Sequence, residues 1–178
     1  MTKLHTRCSH HDLMKLRAGT PVLLSGPVVA CRDRAHRRMA DLLARGMPLP
    51  FDPMGAAVFY AAPTPAPPGR ASGAVGPTTS ARMDPWTPLL LQAGVRILVG
   101  KGPRSSGVSA AINSAGAVYL AAPGGTAALG GGCVVSCGVL AWDDLGSEAL
   151  YSMELREYPV FVALDTMGQS IFTREGKP

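Results

Sequence analysis

Val95-Arg96-Ile97-Leu98-Val99-Gly100-Lys101, then Ser105 to Ala115, then Gly116-Ala117-Val118-Tyr119-Leu120-Ala121, is the stretch that decides the fold class. Val95–Gly100 is apolar, β-branched and halted by Lys101, the pattern of a strand buried on both faces. Ser105 or Ser106 caps a helix that Gly116 terminates. Ala117–Ala121 is a second apolar strand. Strand, helix and strand in succession predict an α/β chain with a mainly parallel central sheet.

Outward from this unit the alternation continues. Thr87–Ala93 suits a short helix, with Pro88 in its first turn and Gly94 at its end. Ala56–Ala62 is expected as a buried strand, followed by a rigid Pro63–Gly69 turn. Val22–Cys31 is expected as two short strands or one bent strand, because Gly26-Pro27 interrupts it. Ala35, Met39, Leu42 and Leu43 then fall on one helical face, with Asp33 as N-cap and Gly46 just past the end. Toward the C-terminus, Gly124-Gly125-Thr126 opens a helix through Leu129. Val134–Trp142 reads as a strand and Ser147–Glu154 as a helix. Pro159–Asp165 and Ser170–Thr173 read as a hairpin turning at Met167-Gly168. The 178 residues make one domain, with residues 1–17 as a peripheral, solvated segment carrying His5, His10 and His11.

Composition narrows the function classes. Charged residues are only 16%, and the net charge is +5 with no stripe of basic and aromatic residues, which disfavours nucleic acid. Residues 105–142 carry no charge, yet Pro123 and repeated glycines leave no unbroken run long enough for a membrane span. That span is expected as core plus a surface covered by another subunit. No signal peptide opens the chain, so it is expected in the cytoplasm. Cys8, Cys31, Cys133 and Cys137 offer one C-x3-C pair and no metal set, and are expected as reduced thiols.

Chemistry gathers around Gly76-Pro77-Thr78-Thr79-Ser80-Ala81-Arg82-Met83-Asp84. Adjacent hydroxyls with an arginine close by can bind a carboxylate or a phosphate. In open α/β sheets ligands collect beyond the carboxyl ends of strands, where Arg32, Arg82 and Lys101 are expected. Three cations there suit a dianion, either a dicarboxylic acid or a phosphate compound. Gly100-Lys101-Gly102 lacks the glycine-bracketed loop of a phosphate-binding lysine motif. Neither G-x-S-x-G nor H-E-x-x-H occurs.

These blocks resemble a known family. Leu23-Leu24-Ser25-Gly26, Arg32-Asp33-Arg34-Ala35-His36, Tyr60-Ala61-Ala62-Pro63-Thr64-Pro65, the Gly76–Asp84 block, Gly100-Lys101-Gly102, Gly116-Ala117-Val118-Tyr119 and Asp143–Ala149 stand in the order found in the β subunit, or C-terminal domain, of iron–sulfur class I fumarases and L-tartrate dehydratases. The resemblance implies a swivelling β/β/α domain docked on a cysteine-bearing α subunit, usually two of each. That subunit, rather than this chain, would hold a 4Fe-4S cluster whose open iron acts as a Lewis acid. The implied reaction is reversible hydration of a C4 dicarboxylate, fumarate to L-malate, with L-tartrate as the alternative. Arg32, Arg82 and Lys101 match the substrate-binding positions, and Thr78 the base that takes the carbon-bound proton. Ala81, Pro67 and Ala62 depart from the common pattern, which touches loop shape and substrate choice. A non-catalytic dicarboxylate-binding module on the same fold is the competing expectation.

Overall fold

The computed structural model describes residues 1–172, so Thr173, expected in the terminal hairpin, lies outside the described residues. The strands are β1 (Thr2–His5), β2 (Pro21–Ala30), β3 (Ala57–Phe59), β4 (Ala61–Pro63), β5 (Val75–Pro77), β6 (Ile97–Gly100), β7 (Val118–Ala121), β8 (Val134–Ala141) and β9 (Leu150–Leu164). The helices are α1 (His10–Met14), α2 (Asp33–Ala44), α3 (Thr87–Ala93), α4 (Ser106–Ser114) and α5 (Ala127–Gly132).

The class is α/β, and the sheet is mixed. Strands β1, β2, β3, β6 and β7 pair in parallel. Strand β9 pairs antiparallel with β2, β7 and β8. Its contacts with both β2 and β7 close β2, β3, β6, β7 and β9 into a barrel-like ring. The closure explains the apolar strands. Ile97 and Val99 point into the ring with Phe59, Val118 and Leu120. Leu98, Val58 and Tyr119 point outward, under Met39, Leu90, Leu91 and Ile112 of the helices. Strands β3, β6 and β7 are buried on both faces, one inside the barrel and one beneath a helix.

Strand β9 also replaces an expected helix. Leu150 and Met153 have helical spacing, but only Asp143–Glu148 is helical, as a 3₁₀ turn, and the chain is extended from Leu150. Met153 and Leu155 face inward, Arg156 and Glu157 are both exposed, and Tyr158, Val160 and Val162 face inward again. Glu157 takes φ 51°, and the β2 register slips between Leu24 and Gly26 opposite it. A bulge thus breaks the two-residue period and hides the strand from pattern reading.

Other differences are local. Val22–Cys31 is one strand with a bulge, and Ala56–Ala62 splits at Tyr60 into β3 and β4. Strand β4 then turns away to pair with β5 in a small second sheet. The opening segment, expected to be solvated, adds β1 to the sheet edge and buries Leu4, Leu13 and Leu16. Around Met167-Gly168 the chain returns by a single bridge, Leu164 to Ser170, rather than a second strand.

Two features hold the carboxyl ends of the strands in place. Helix α5 lies on β5 with backbone against backbone: a Cβ on Gly130 would strike the Val75 carbonyl and meet the Tyr158 hydroxyl oxygen at 2.9 Å. Helix α2 is pinned by His36, which is fully buried. Its Nδ1 lies 2.9 Å from the Arg32 carbonyl oxygen, which can only accept, so Nδ1 carries the proton. Nε2 is then free to accept from the Cys31 thiol at 3.9 Å. Burial holds the His36 pKa at about 4, below the ordinary 6.5, and the Arg104 charge adds to the effect.

Two predictions follow from this packing. Gly130→Ala should lower stability by about 1–3 kcal/mol through overpacking. Gly132→Ala, with open space around it, should be neutral or slightly stabilising. Urea midpoints decide this, and equal midpoints would show that α5 does not press on β5. For His36, the unfolded chain binds a proton below pH 6.5 that the folded chain refuses until about pH 4. Stability should therefore fall as pH drops through that window, by up to about 3 kcal/mol from this group. Urea titrations at pH 7 and 4.5 should show a smaller fall in His36→Asn; an equal fall would exclude His36 as the source.

Candidate active site

Register places two of the three expected cations, Arg32 and Lys101, on one row. Ala30, Phe59, Val99 and Leu120 lie side by side across β2, β3, β6 and β7. Arg32 and Lys101 each stand two residues beyond that row. Because only β3 separates β2 from β6, and neighbouring strands lie about 5 Å apart, their backbones are about 10 Å apart. Thr78 enters from the side. Its N–H donates to the Tyr60 carbonyl at 2.7 Å, at the end of β3. The next residue, Thr79, forms a parallel bridge with Lys101. The Gly76–Asp84 block is therefore stitched across the ends of β3 and β6.

Ser80 is the stitch. Its N–H donates to the Lys101 carbonyl at 2.8 Å, and its hydroxyl accepts the Lys101 N–H at 2.9 Å. Tyr119 has one hydroxyl proton, and gives it to the Gly102 carbonyl at 2.7 Å. Ser80 must then donate to the Tyr119 oxygen, at 2.9 Å. Gly100 leaves room for this arrangement, since a Cβ there would meet the Ser80 hydroxyl and the Tyr60 ring.

Arg82 and Arg32 meet over Asp33. The Arg82 Nε donates to Asp33 Oδ1 at 2.9 Å, and Nη2 lies 2.9 Å from Oδ2. Arg32 is held more loosely, 4.0 Å from both Asp33 and Glu148, and its buried Nε has no acceptor among the described residues. Glu148 is oriented by the Arg34 N–H at 3.0 Å. Asp33, expected as the N-cap of α2, is its first helical residue, and Arg32 occupies the cap. The structure thus joins Arg32 to Arg82 through Asp33, and Thr78 to Lys101 through the Thr79 bridge, on neighbouring strand ends.

The sequence reading missed Arg104, the best-buried cation here, with 1% of its side chain exposed. Nε donates to Asp84 Oδ1 at 2.6 Å, Nη1 to the Tyr60 hydroxyl at 3.2 Å and Nη2 to the Thr87 hydroxyl at 2.6 Å. The guanidinium also lies over the Tyr60 and Tyr119 rings, 5.2 and 5.3 Å from their centroids. Burial opposes its charge, but Tyr60 and Asp84 outweigh burial and raise its pKa. Burial lifts Tyr60 and takes Tyr119 to about 12, so both phenols stay neutral near pH 7. The one signal in the sequence was Asp84, an acidic residue ending a block rich in hydroxyls without an assigned partner.

No three His, Cys, Asp or Glu side chains converge on a metal-binding position among the described residues. The four cysteines are free, and Cys31 is sealed in the core against His36. A cleft of about 660 Å³ opens elsewhere, at the start of β3, lined by Phe51, Met54 and Leu140 and by none of the four expected site residues. Among the described residues no helix is long and apolar enough to cross a membrane.

Comparison with known proteins bears on this arrangement. Residues 1–175 match the family described as Fumarase C-terminus. Fumarate hydratase 1, mitochondrial, of Leishmania major is 37% identical over 163 residues, 90% of this chain and 30% of that protein. The aerobic class I fumarate hydratase of Escherichia coli (strain K12) is 35% identical over 163 residues, again 90% of this chain and 30% of that protein. The chain thus spans under a third of the length of these fumarate hydratases. The L(+)-tartrate dehydratase subunit beta of Escherichia coli (strain K12) is 32% identical over 183 aligned positions, 98% of this chain and 88% of that protein. With residues 1–175 of 178 matched, the chain belongs to the Fumarase C-terminus family.

Proposed function

We propose that this chain is the β subunit of an iron–sulfur hydro-lyase that adds water to, and removes it from, a C4 dicarboxylate. Fumarate to L-malate is the first reading. What carries the proposal is the gathering of Arg32, Thr78, Arg82 and Lys101 on neighbouring strand ends of a chain of this family. Arginine forks and a lysine point charge are the groups that bind two carboxylates. A single domain, 1–178, supplies this half of the site and swivels against a cysteine-bearing α partner, two of each chain in a cytoplasmic heterotetramer. In this reading the 4Fe-4S cluster is held by the cysteine-bearing partner rather than by this chain.

In this reading Arg32, Arg82 and Lys101 clamp the carboxylates and fix the carbon skeleton. Thr78 takes the proton from carbon in the dehydration direction and returns it in hydration. A threonine hydroxyl is a poor base in water, and cations beside it stabilise the alkoxide it needs to form. The Tyr60 carbonyl fixes the Thr78 backbone, so its hydroxyl has few positions to occupy. Tartrate is the second reading, favoured by one observation: a relative matched over 88% of its own length is a tartrate dehydratase subunit beta.

The test is anaerobic reconstitution with the α partner, following fumarate–malate interconversion and tartrate dehydration in parallel. Activity only in the mixture supports the proposal, and the preferred acid names the enzyme. A formed complex with an intact cluster and no turnover of any diacid moves the chain to a non-catalytic dicarboxylate-binding module. Thr78→Val should lower kcat by about 100-fold or more, the scale of a lost general base. Near-normal turnover removes Thr78 from that role. Arg82→Met should lower kcat/KM by about 100-fold, the scale of a lost charged hydrogen-bond pair. A change of two- or three-fold would take Arg82 out of contact with substrate.

A further inference from the structure

We propose that Asp33 is a positioning residue, which turns the Arg82 guanidinium so that one of its edges faces a carboxylate. The proposal rests on the substrate-binding role given to Arg82 above. Arg82 sits on the 3₁₀ turn Ser80–Met83, and its side chain is 48% exposed. An arginine so placed would otherwise sample many rotamers. Asp33 removes that freedom from one side. Its Oδ1 accepts a hydrogen bond from Nε of Arg82 at 2.9 Å, and its Oδ2 lies 2.9 Å from Nη2 as a charge contact off the line of a hydrogen bond, so one bond and one ion contact together restrain the guanidinium.

Asp33 is well suited to steer. It is the first residue of a twelve-residue helix, where the helix dipole favours a carboxylate. That helix is anchored by buried Ala35, His36 and Met39, so the acid stands on a rigid element. Its side chain is only 23% exposed. The arginine is the mobile partner and the aspartate the fixed one.

The edges of the guanidinium then divide. The Nε–Nη2 edge is committed to Asp33. The Nη1 and Nη2 hydrogens make no hydrogen bond among the described residues, and the Nη1–Nη2 edge still fits a carboxylate through two parallel bonds. Arg32 shows the contrast. At 4.0 Å from Asp33 and Glu148 it is held by charge alone, without a fixed plane. One arginine is preset and the other is free to adjust.

The test has two readouts. The first uses the full chain without substrate, by nitrogen-15 NMR of arginine Nε–H groups. The Arg82 signal, identified by its loss in Arg82→Lys, should stand apart from the exposed arginines in the wild type. In Asp33→Asn, which keeps the shape but loses the charge and one acceptor, it should merge with them. A signal unmoved by Asp33→Asn overturns the proposal. The second readout is a double-mutant cycle on the complex with the α partner. Asp33→Asn should reduce kcat/KM for the diacid by about 10-fold in the wild type. In the Arg82→Met background it should change it less than two-fold. Equal losses in both backgrounds would mean that Asp33 acts on the fold or the substrate directly, and would overturn the proposal. A complex inactive on every diacid sinks the hydro-lyase reading alone, because the NMR readout still decides how Arg82 is held.

Discussion

A guanidinium with 1% of its side chain exposed has to be neutralised where it lies, and much of the active end of this fold is arranged to neutralise Arg104. Removing one partner of a buried pair typically costs several kcal/mol, because it strands the other charge. Here the partner is Asp84, which also accepts the Ser105 N–H at 2.8 Å and so caps the start of α4. One Nη1 and one Nη2 hydrogen go to Tyr60 and Thr87, and both hydroxyl protons of the network can be assigned. Thr87 donates to the Met83 carbonyl at 2.9 Å, so the Tyr60 hydroxyl must donate to Thr87 while accepting from Arg104. The network ties together the end of β3, the turn after Ser80, the start of α3 and the loop after β6.

The same network explains why the Gly76–Asp84 block has its composition. Gly76 lets Ala127 of α5 approach, since a Cβ there would lie 2.7 Å from the Ala127 Cβ. Ser80 and Asp84 face inward, to Tyr119 and Arg104. Met83 fills the outer core between them. Thr79 and Arg82 are left exposed, with Thr78 half-buried at the seam. The alternating inward and outward duties of one short segment fix the geometry of its outward-facing residues.

Much of this was legible in the sequence. The β6–α4–β7 unit, the Gly46 stop of α2 and the cations beyond the strand ends follow from apolar patterning, capping chemistry and the habit of ligands at carboxyl ends. What stayed hidden has a physical cause in each case. Strand β9 was masked by its bulge at Arg156–Glu157, and without it the closed barrel and the mixed sheet could not be foreseen. Tyr60 looked like the middle of a strand, yet it is where the chain leaves the barrel. Arg104, next to Pro103 in a short loop, resembles a solvated residue until Asp84, Tyr60 and Thr87 come together from distant parts of the chain. Asp33 was given the N-cap role, and its duty to Arg82, 49 residues away, is a tertiary fact.

The electrostatics of the rim bear on why such a site would be shared between chains. Charged pairs near water gain little, because solvent screens them and competes for their donors. Arg82 is nearly half exposed, and Lys101 is exposed. On this chain alone they would hold a dicarboxylate weakly. Covered by a second protein surface, the same cations would act in a lower dielectric, where charge–charge contacts strengthen severalfold. Buried Arg104 and exposed Arg82 thus serve opposite ends. The first is neutralised within the chain and sets the scaffold. The second keeps one edge of its guanidinium unpartnered among the described residues, and under the proposed function its full strength would appear only when substrate and a closing partner arrive together.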